Sequence, residues 1–296
     1  MHAPAKLNLA LSVGAPCETS GAHRSSMHPL SSWMVTVDLV DDLHLERLAP
    51  TSASLFATIW HAQALRPSDI DWDLSVDLVH RAHDRLEQFV GKSLPVKSRV
   101  EKRIPVGGGL GGGSSDAAAM LRGLNELFAL NLPVSDLEHI ASTLGSDIPF
   151  LVRGGSALVG GFGEQIESLG QPPALNAVLF FPGVPCPTGA VYGAFDRITP
   201  SALLRQQCVR DLAGRRTISP SDPFNDLAHA AVHVAPSIAD DIDEISALSD
   251  LPVHVCGSGS SLFVLCSDPA HAQALASTAS TRLAIPAVAV ATCVVE

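Results

Sequence analysis

From Ile104 to Met120 the chain reads Ile-Pro-Val-Gly-Gly-Gly-Leu-Gly-Gly-Gly-Ser-Ser-Asp-Ala-Ala-Ala-Met, and six of the seven residues from Gly107 to Gly113 are glycine. Ordering glycine costs more backbone entropy than ordering any other residue, so a dense cluster inside a globular chain needs a reason. One reason is a flexible linker. The other is an anion cradle, in which bare backbone N–H groups wrap phosphate oxygens and a helix N-terminus adds its partial positive charge. The flanking residues favour the cradle. Ser114 or Ser115 can cap a helix, with Asp116 in its first turn. Ala117, Met120, Leu121, Leu124, Leu127 and Phe128 then recur at helical spacing. Upstream, residues 96–104 partly alternate as a strand does and stop at Pro105. The order is strand, glycine loop, helix.

The loop is not a Walker A loop, because no Lys-Ser/Thr pair follows its last glycine. Gly107, Gly109 and Gly112 satisfy G-x-G-x-x-G, but so dense a cluster satisfies many patterns. Neither an H-R-D catalytic loop nor a D-F-G stretch is present, so the protein-kinase arrangement fails as well. If phosphates bind here, the cation that works on them comes from elsewhere. Lys97, Arg99, Lys102 and Arg103 cluster just upstream, as a solvated strand face or as phosphate steering. The formal net charge of −11 argues against a nucleic-acid or anionic-membrane surface.

The length of 296 residues, with 46% hydrophobic and 17% charged residues, suits an ordered chain of one or two domains. Six cysteines are scattered without a C-x-x-C pair, which fits neither a zinc site nor a disulfide framework. No apolar run is long enough to span a membrane and no secretory signal is evident, so a cytoplasmic protein is expected. His80 and His83 lack further ligands at good spacing and read as helix-surface residues rather than metal ligands.

Near the start, Leu7, Leu9 and Leu11 share one face of a strand and Lys6 and Asn8 the other. The lysine and asparagine are either edge solubility or the wall of a site, an ammonium for phosphate beside an orienting amide. Residues 13–30 read as a loop, 32–39 as a strand, and 49–74 show no clear period. Val76, Val79, Ala82, Leu86, Phe89 and Val90 form an amphipathic helix stopped by Gly91. Ser135-Asp136-Leu137-Glu138 has the form of a capping box for a helix to Leu144. Asp147 then sits in a turn flanked by apolar residues, as a cap or as a general base. The second half, with a connection at 203–223, reads β-α-α-β-β-α-β, close to a split β-α-β layout.

Three stretches together resemble the GHMP family of small-molecule kinases, which includes galactokinase and the homoserine, mevalonate and phosphomevalonate kinases. They are Pro4-Ala5-Lys6-Leu7-Asn8-Leu9, the run from Pro105 to Ala118, and Gly257-Ser258-Gly259-Ser260-Ser261. Their order and spacing match the three motifs of the family across nearly the whole chain. Four features resemble the branch acting on a cytidine diphosphate-linked methylerythritol, on the methylerythritol phosphate route to isoprenoids. These are the doubled glycine triplet, Leu144-Gly145-Ser146-Asp147-Ile148-Pro149-Phe150, the Pro182-Gly183 loop reaching Thr188, and Phe224-Asn225-Asp226-Leu227.

The resemblance implies an α+β, two-domain GHMP kinase fold. Its N-terminal domain, residues 1–160, would be ribosomal protein S5 domain 2-like and hold the phosphate loop and catalytic residues. Its C-terminal domain, residues 161–296, would be ferredoxin-like and hold the third motif and part of the substrate pocket. ATP and Mg²⁺ are implied as cofactors, with a small-molecule acceptor, no nucleic acid or membrane partner, and a monomer or weak homodimer. Lys6 and Asp147 match the catalytic pair of the family. Pro105, Val106, Gly107, Gly108, Gly109, Leu110, Gly111, Gly112, Gly113, Ser114 and Ser115 match its ATP loop. Asn8, Thr188, Gly257 and Ser258 match positions lining the acceptor, and His28 and Tyr192 those meeting cytosine. Two positions depart from the pattern. Met27 stands where a tyrosine covers the other face of cytosine, and a thioether is a softer cover. Asp77 stands where an asparagine meets adenine, and an ionised carboxylate accepts hydrogen bonds but donates none. The alternatives are a kinase of the mevalonate or homoserine type and a non-catalytic nucleotide-binding relative, although Lys6 and Asp147 are both present.

Overall fold

The first strand, His2–Val13, does not keep the alternation its leucines suggest. The computed structural model, which describes residues 1–18 and 26–294, pairs it antiparallel with the long strand Leu30–Arg47. The register shifts between Asn8 and Ala10, leaving Leu9 as an extra residue. A bulge of this kind exchanges the faces of everything beyond it. Leu7, Leu9 and Ala10 therefore pack into the core between the two sheets, while Leu11 and Val13 join the core on the helix side. Leu11, expected with Leu7 and Leu9, is on the opposite face for this reason. The strand is buried on both faces, so Lys6 (4% exposed) and Asn8 (3%) are interior groups and not an edge.

Leu30–Arg47 organises the first sheet. One edge pairs with the first strand. On its other edge, the first half pairs with Ser156–Gly160 and the second half with Val96–Lys102. The stretch without clear period contains the strand Leu55–Trp60, parallel to Val96–Lys102. Gln165–Gly170 pairs with Ser156–Gly160, so a hairpin spans position 160, the domain limit implied by the resemblance. Phe224–Asn225 also returns to this sheet, parallel to the first strand at Ala10 and Leu11. In the 13–30 loop, Cys17–Glu18 and Ser26–Met27 form a short ribbon, and residues 19–25 lie outside the described residues.

Helix Leu78–Val90 is capped by Asp77, whose carboxylate accepts from the N–H groups of Val79 and His80, and it ends at Gly91 in the left-handed region. Val79, Ala82, His83 and Leu86 form its buried face. His83 is therefore not a surface residue; its Nε2 is 3.0 Å from the Leu94 carbonyl. Helix Val134–Ser142 forms without the capping box, because Pro133 occupies its N-cap and Glu138 pairs with Arg153 at 2.9 Å.

The second sheet runs His254–Val255, Leu262–Cys266, Asn176–Phe180, Ala287–Ala291, with every neighbour antiparallel. With the intervening helices Thr188–Ile198 and Pro269–Arg282, this is the split β-α-β layout read from the sequence. The stretch expected as a connection contains helix Gln206–Ala213, whose Val209 and Leu212 are buried. Leu7, Leu9, Trp33 and Val35 of the first sheet meet Leu179, Phe263 and Val290 of the second. Among the described residues no helix is long and apolar enough to cross a membrane.

Leu9 is fully buried in that inter-sheet core. Leu9→Ala is expected to lower the unfolding free energy by about 2–5 kcal/mol, the cost of a large-to-small core change. A urea midpoint unchanged from the parent would contradict the packing described.

Candidate active site

The glycine loop is held from three directions. Lys6 N–H donates to the Leu110 carbonyl at 2.9 Å, and Ser261 N–H to the Gly108 carbonyl at 3.2 Å. Asp41 accepts at Oδ1 from the N–H groups of Arg103 and Ile104, just ahead of the loop. Gly109 has φ +75°, and a Cβ there would lie 2.0 Å from the Cys256 carbonyl oxygen. No side chain fits at that crossing. Gly107 and Gly111 also have positive φ, and alternation of this kind turns successive N–H groups into one concavity.

The helix after the loop is Gly112–Leu127. It starts earlier than the serines suggest, with Gly111 as N-cap and no side-chain cap bond. Ser114 and Ser115 are inside the helix, and Asp116 lies beyond its first turn. Lys102 Nζ reaches Asp116 Oδ2 at 2.7 Å and Asp41 Oδ2 at 2.5 Å, with all three side chains buried. Burial alone would pull Lys102 down, but the two carboxylates outweigh it and hold the ammonium well above its ordinary range. Burial and the neighbouring Asp41 raise Asp116 to about 7 against the pull of Lys102. One lysine thus ties the approach to the loop to the helix that leaves it. The basic cluster read upstream divides: Lys97 and Arg99 are exposed, Arg103 pairs with Asp42, and Lys102 is this buried tie.

Beside the loop, Lys6 Nζ donates to Asn8 Oδ1 at 2.7 Å and lies 3.4 Å from Asp147 Oδ2. Asn8 Nδ2 donates to Ser32 Oγ at 2.8 Å, which fixes the amide orientation. Asp147 precedes helix Ile148–Arg153 but makes no side-chain cap bond, leaving its carboxylate for Lys6 and the cavity. Gly257 closes the other side: φ is +52°, and a Cβ there would come within 3.2 Å of Lys6 Nζ. Asn225 Nδ2 donates to the carbonyls of Val255 and Gly257 at 2.9 and 2.7 Å, tying this turn to the first sheet.

These groups surround one cavity of about 510 Å³, within the range of small-molecule sites. It is bordered by Lys6, Asn8, Asp147, Thr188, Tyr192, Gly257 and Ser258, and by Pro105 to Gly109 and Gly111 to Ser114 of the loop. Thr188 Oγ1 is 2.9 Å from Ser258 Oγ. Burial, with the Asp147 charge, pushes the Tyr192 phenol up to about 12, so it stays neutral. Leu110 is in the inter-sheet core, and Ser115 is buried in the helix; neither borders the cavity. His28 is behind Tyr192, ring centroids 4.9 Å apart, with Nδ1 3.0 Å from the Gly14 carbonyl and Nε2 3.4 Å from Asp196. Met27 is 40% exposed in the short ribbon and does not border the cavity.

Asp77 borders the cavity, yet its carboxylate serves the protein. Oδ1 accepts from Val79 and His80 N–H, and Oδ2 from Trp72 Nε1 at 2.9 Å. Trp72, Asp41 and Asn225 line or support the site without being singled out by residue patterns, and Lys102 stands out there only as one member of the basic cluster. Trp72 lies in the aperiodic stretch, and only the family-like Phe224-Asn225-Asp226-Leu227 run signals Asn225.

Hard oxygens suited to Mg²⁺ border the cavity beside the glycine loop: the Ser114 hydroxyl and the Asp116 carboxylate, whose Oδ1 is buried without a hydrogen-bond partner. Among the described residues, His83, Asp84 and Glu87 are also grouped closely enough for a metal. Glu87 Oε1, however, accepts from Leu94 N–H, and His83 faces the Leu94 carbonyl, so this group serves to join the helix to its loop.

Residues 77–155 match the family described as GHMP kinases N terminal domain. The fold is shared with the mevalonate kinase of Methanococcus jannaschii at TM-score 0.66, 8% identity and 99% and 98% coverage of the two chains. It is shared more closely with a crystal structure of 4-(cytidine 5'-diphospho)-2C-methyl-D-erythritol kinase, at TM-score 0.75, 31% identity and 99% coverage of both. In sequence, the chain is 35% identical to 4-diphosphocytidyl-2-C-methyl-D-erythritol kinase of Caulobacter vibrioides (strain NA1000 / CB15N), over 93% of this chain and 92% of that one. It is 36% identical to the kinase of the same name from Prochlorococcus marinus (strain MIT 9313), over 93% and 86%. The class is therefore that of the GHMP kinases. Within it, the chain belongs to the 4-diphosphocytidyl-2-C-methyl-D-erythritol kinase family.

Removing Asp41 would leave Lys102 short of one carboxylate and two buried backbone N–H groups without an acceptor. Asp41→Ala is expected to cost about 3–5 kcal/mol of stability, as breaking a buried ion pair does. A change below about 1 kcal/mol in denaturant unfolding would refute the tie.

Proposed function

We propose that the protein transfers the γ-phosphoryl group of ATP to the 2-hydroxyl of 4-diphosphocytidyl-2-C-methyl-D-erythritol, a step toward isoprenoid precursors. The observation that carries this reading is the pair Lys6 and Asp147, 3.4 Å apart at the mouth of the glycine loop. Phosphoryl transfer asks mostly for positioning and charge stabilisation, with little covalent work by the protein.

In this reading the loop N–H groups and the start of helix Gly112–Leu127 hold the ATP phosphates. Asp147 accepts the proton of the acceptor hydroxyl as the oxygen attacks phosphorus. Lys6 has three donors: one goes to Asn8, one faces Asp147, and the third is free for the oxygens in transfer. Its charge counters the negative charge that shifts among those oxygens. Thr188 and Ser258 hold the acceptor's diphosphate end, and Tyr192, braced by His28, offers a ring face to cytosine. Met27 closes on the base only if its ribbon folds over the bound acceptor. Mg²⁺, held by Ser114, Asp116 and phosphate oxygens, would offset the phosphate charge.

A coupled ADP assay over an acceptor panel tests the assignment. Turnover is expected with the cytidine-diphospho acceptor and not with mevalonate, homoserine or galactose; turnover with one of those instead would refute it. Asp147→Asn should lower kcat by at least about a hundredfold while ATP still binds. Unchanged turnover in that variant would remove the base role.

A further inference from the structure

Where the cavity meets the start of helix Leu78–Val90 it has an aromatic wall. Trp72 is half-buried there, its indole N–H held by Asp77 at 2.9 Å, with Val76, Leu78 and Val79 beside it. Asp77 accepts three hydrogen bonds, all from protein donors, and, ionised, it has none to give. Thr58 adds one hydroxyl, which can donate or accept and so favours no particular base edge. This part of the cavity is thus rich in flat and apolar surface and poor in fixed polar groups.

We propose that Trp72 is the stacking wall for the nucleobase of ATP, so that the phosphate donor is held by the face of its base and hardly read at the edge. The inference rests on reading the cavity as an ATP site. Stacking on an aromatic ring tolerates any base, because every base has a π-face. Strong rejection of a wrong ligand needs buried polar groups that the wrong ligand leaves unpaired, and most of the acceptor capacity of Asp77 is already taken by protein donors. Two consequences follow. Base selectivity is low, and loss of the ring weakens ATP and GTP alike.

The test titrates the full-length protein with ATP and with GTP, without acceptor, following tryptophan emission and calorimetry. Trp33 is in the core and the Trp60 indole is bonded to the Ser68 carbonyl, so both serve as background. The parent protein should show a saturable emission change with both nucleotides, with Kd values within about tenfold of each other. Trp72→Phe should lose the emission change yet bind within about fivefold of the parent. Trp72→Ala should bind both nucleotides at least about fivefold more weakly, the lower end of what a base–aromatic stack supplies. In turnover the loss should fall on KM for ATP rather than kcat. Equal ATP affinity in Trp72→Ala, or rejection of GTP by more than about a hundredfold in the parent, would overturn the inference. Should Trp72→Ala not fold, the parent selectivity and Trp72→Phe still decide. A protein that binds ATP this way but phosphorylates no acceptor of the panel would refute the proposed reaction and support this inference. Binding of neither nucleotide would overturn both.

Discussion

The glycine loop is pinned where Gly109 passes the carbonyl of Cys256. An added Cβ would lie 2.0 Å from that oxygen, so the glycine loop and the turn after His254–Val255 lie backbone against backbone. Much of the site follows from this contact. It brings the second sheet against the first where the glycine loop borders the cavity. It sets Gly257 over Lys6, and the loop glycines on either side of Leu110 border the cavity. The bonds from Ser261 to Gly108 and from Asn225 to Gly257 cross the same seam, and the bond from Lys6 to Leu110 holds the loop to the first strand. Three sequence motifs far apart along the chain become one surface here, because only backbone is present where they meet.

Charge is distributed to match. Lys102 is the lysine nearest the loop in sequence, but two buried carboxylates hold it, and its work is to fix the loop's two ends. Lys6 differs. Its partners are a neutral amide and one carboxylate that also borders the cavity. The Cys256 thiol near it is pushed by burial up to about 12 and stays neutral, so it cancels none of the ammonium charge. The loop carries no lysine of its own; in the proposed reaction the first strand supplies it.

Much of this was legible in the residues. The strand–loop–helix order, the second-half topology and the helix ending at Gly91 follow from spacing and capping chemistry that act locally. What stayed hidden depends on tertiary contacts. The face of Leu11 is set by a bulge against a partner strand, which no pattern in 1–13 announces. Ser114 looks like an N-cap, but the glycines ahead of it adopt helix-compatible backbone and start the helix earlier. The Ser135 capping box fails because Glu138 finds Arg153, fifteen positions downstream. Asp77 reads as a ligand contact, but its bond to Trp72, which lies in a stretch without periodicity, leaves no mark in the sequence. Buried ion pairs such as Lys102 with Asp41 join residues 61 positions apart and leave no local mark.

The central claim is that a lysine of the first strand and an aspartate after Gly145 act on a phosphoryl group held by the glycine loop, moving it to an alcohol. Phosphorus-31 nuclear magnetic resonance tests this most directly, with ATP, Mg²⁺ and the cytidine-diphospho acceptor mixed with the enzyme. A new phosphomonoester resonance is expected to grow in step with ADP, while the acceptor's diphosphate signals persist. Loss of the diphosphate signals, or ADP with inorganic phosphate and no new ester, would contradict it.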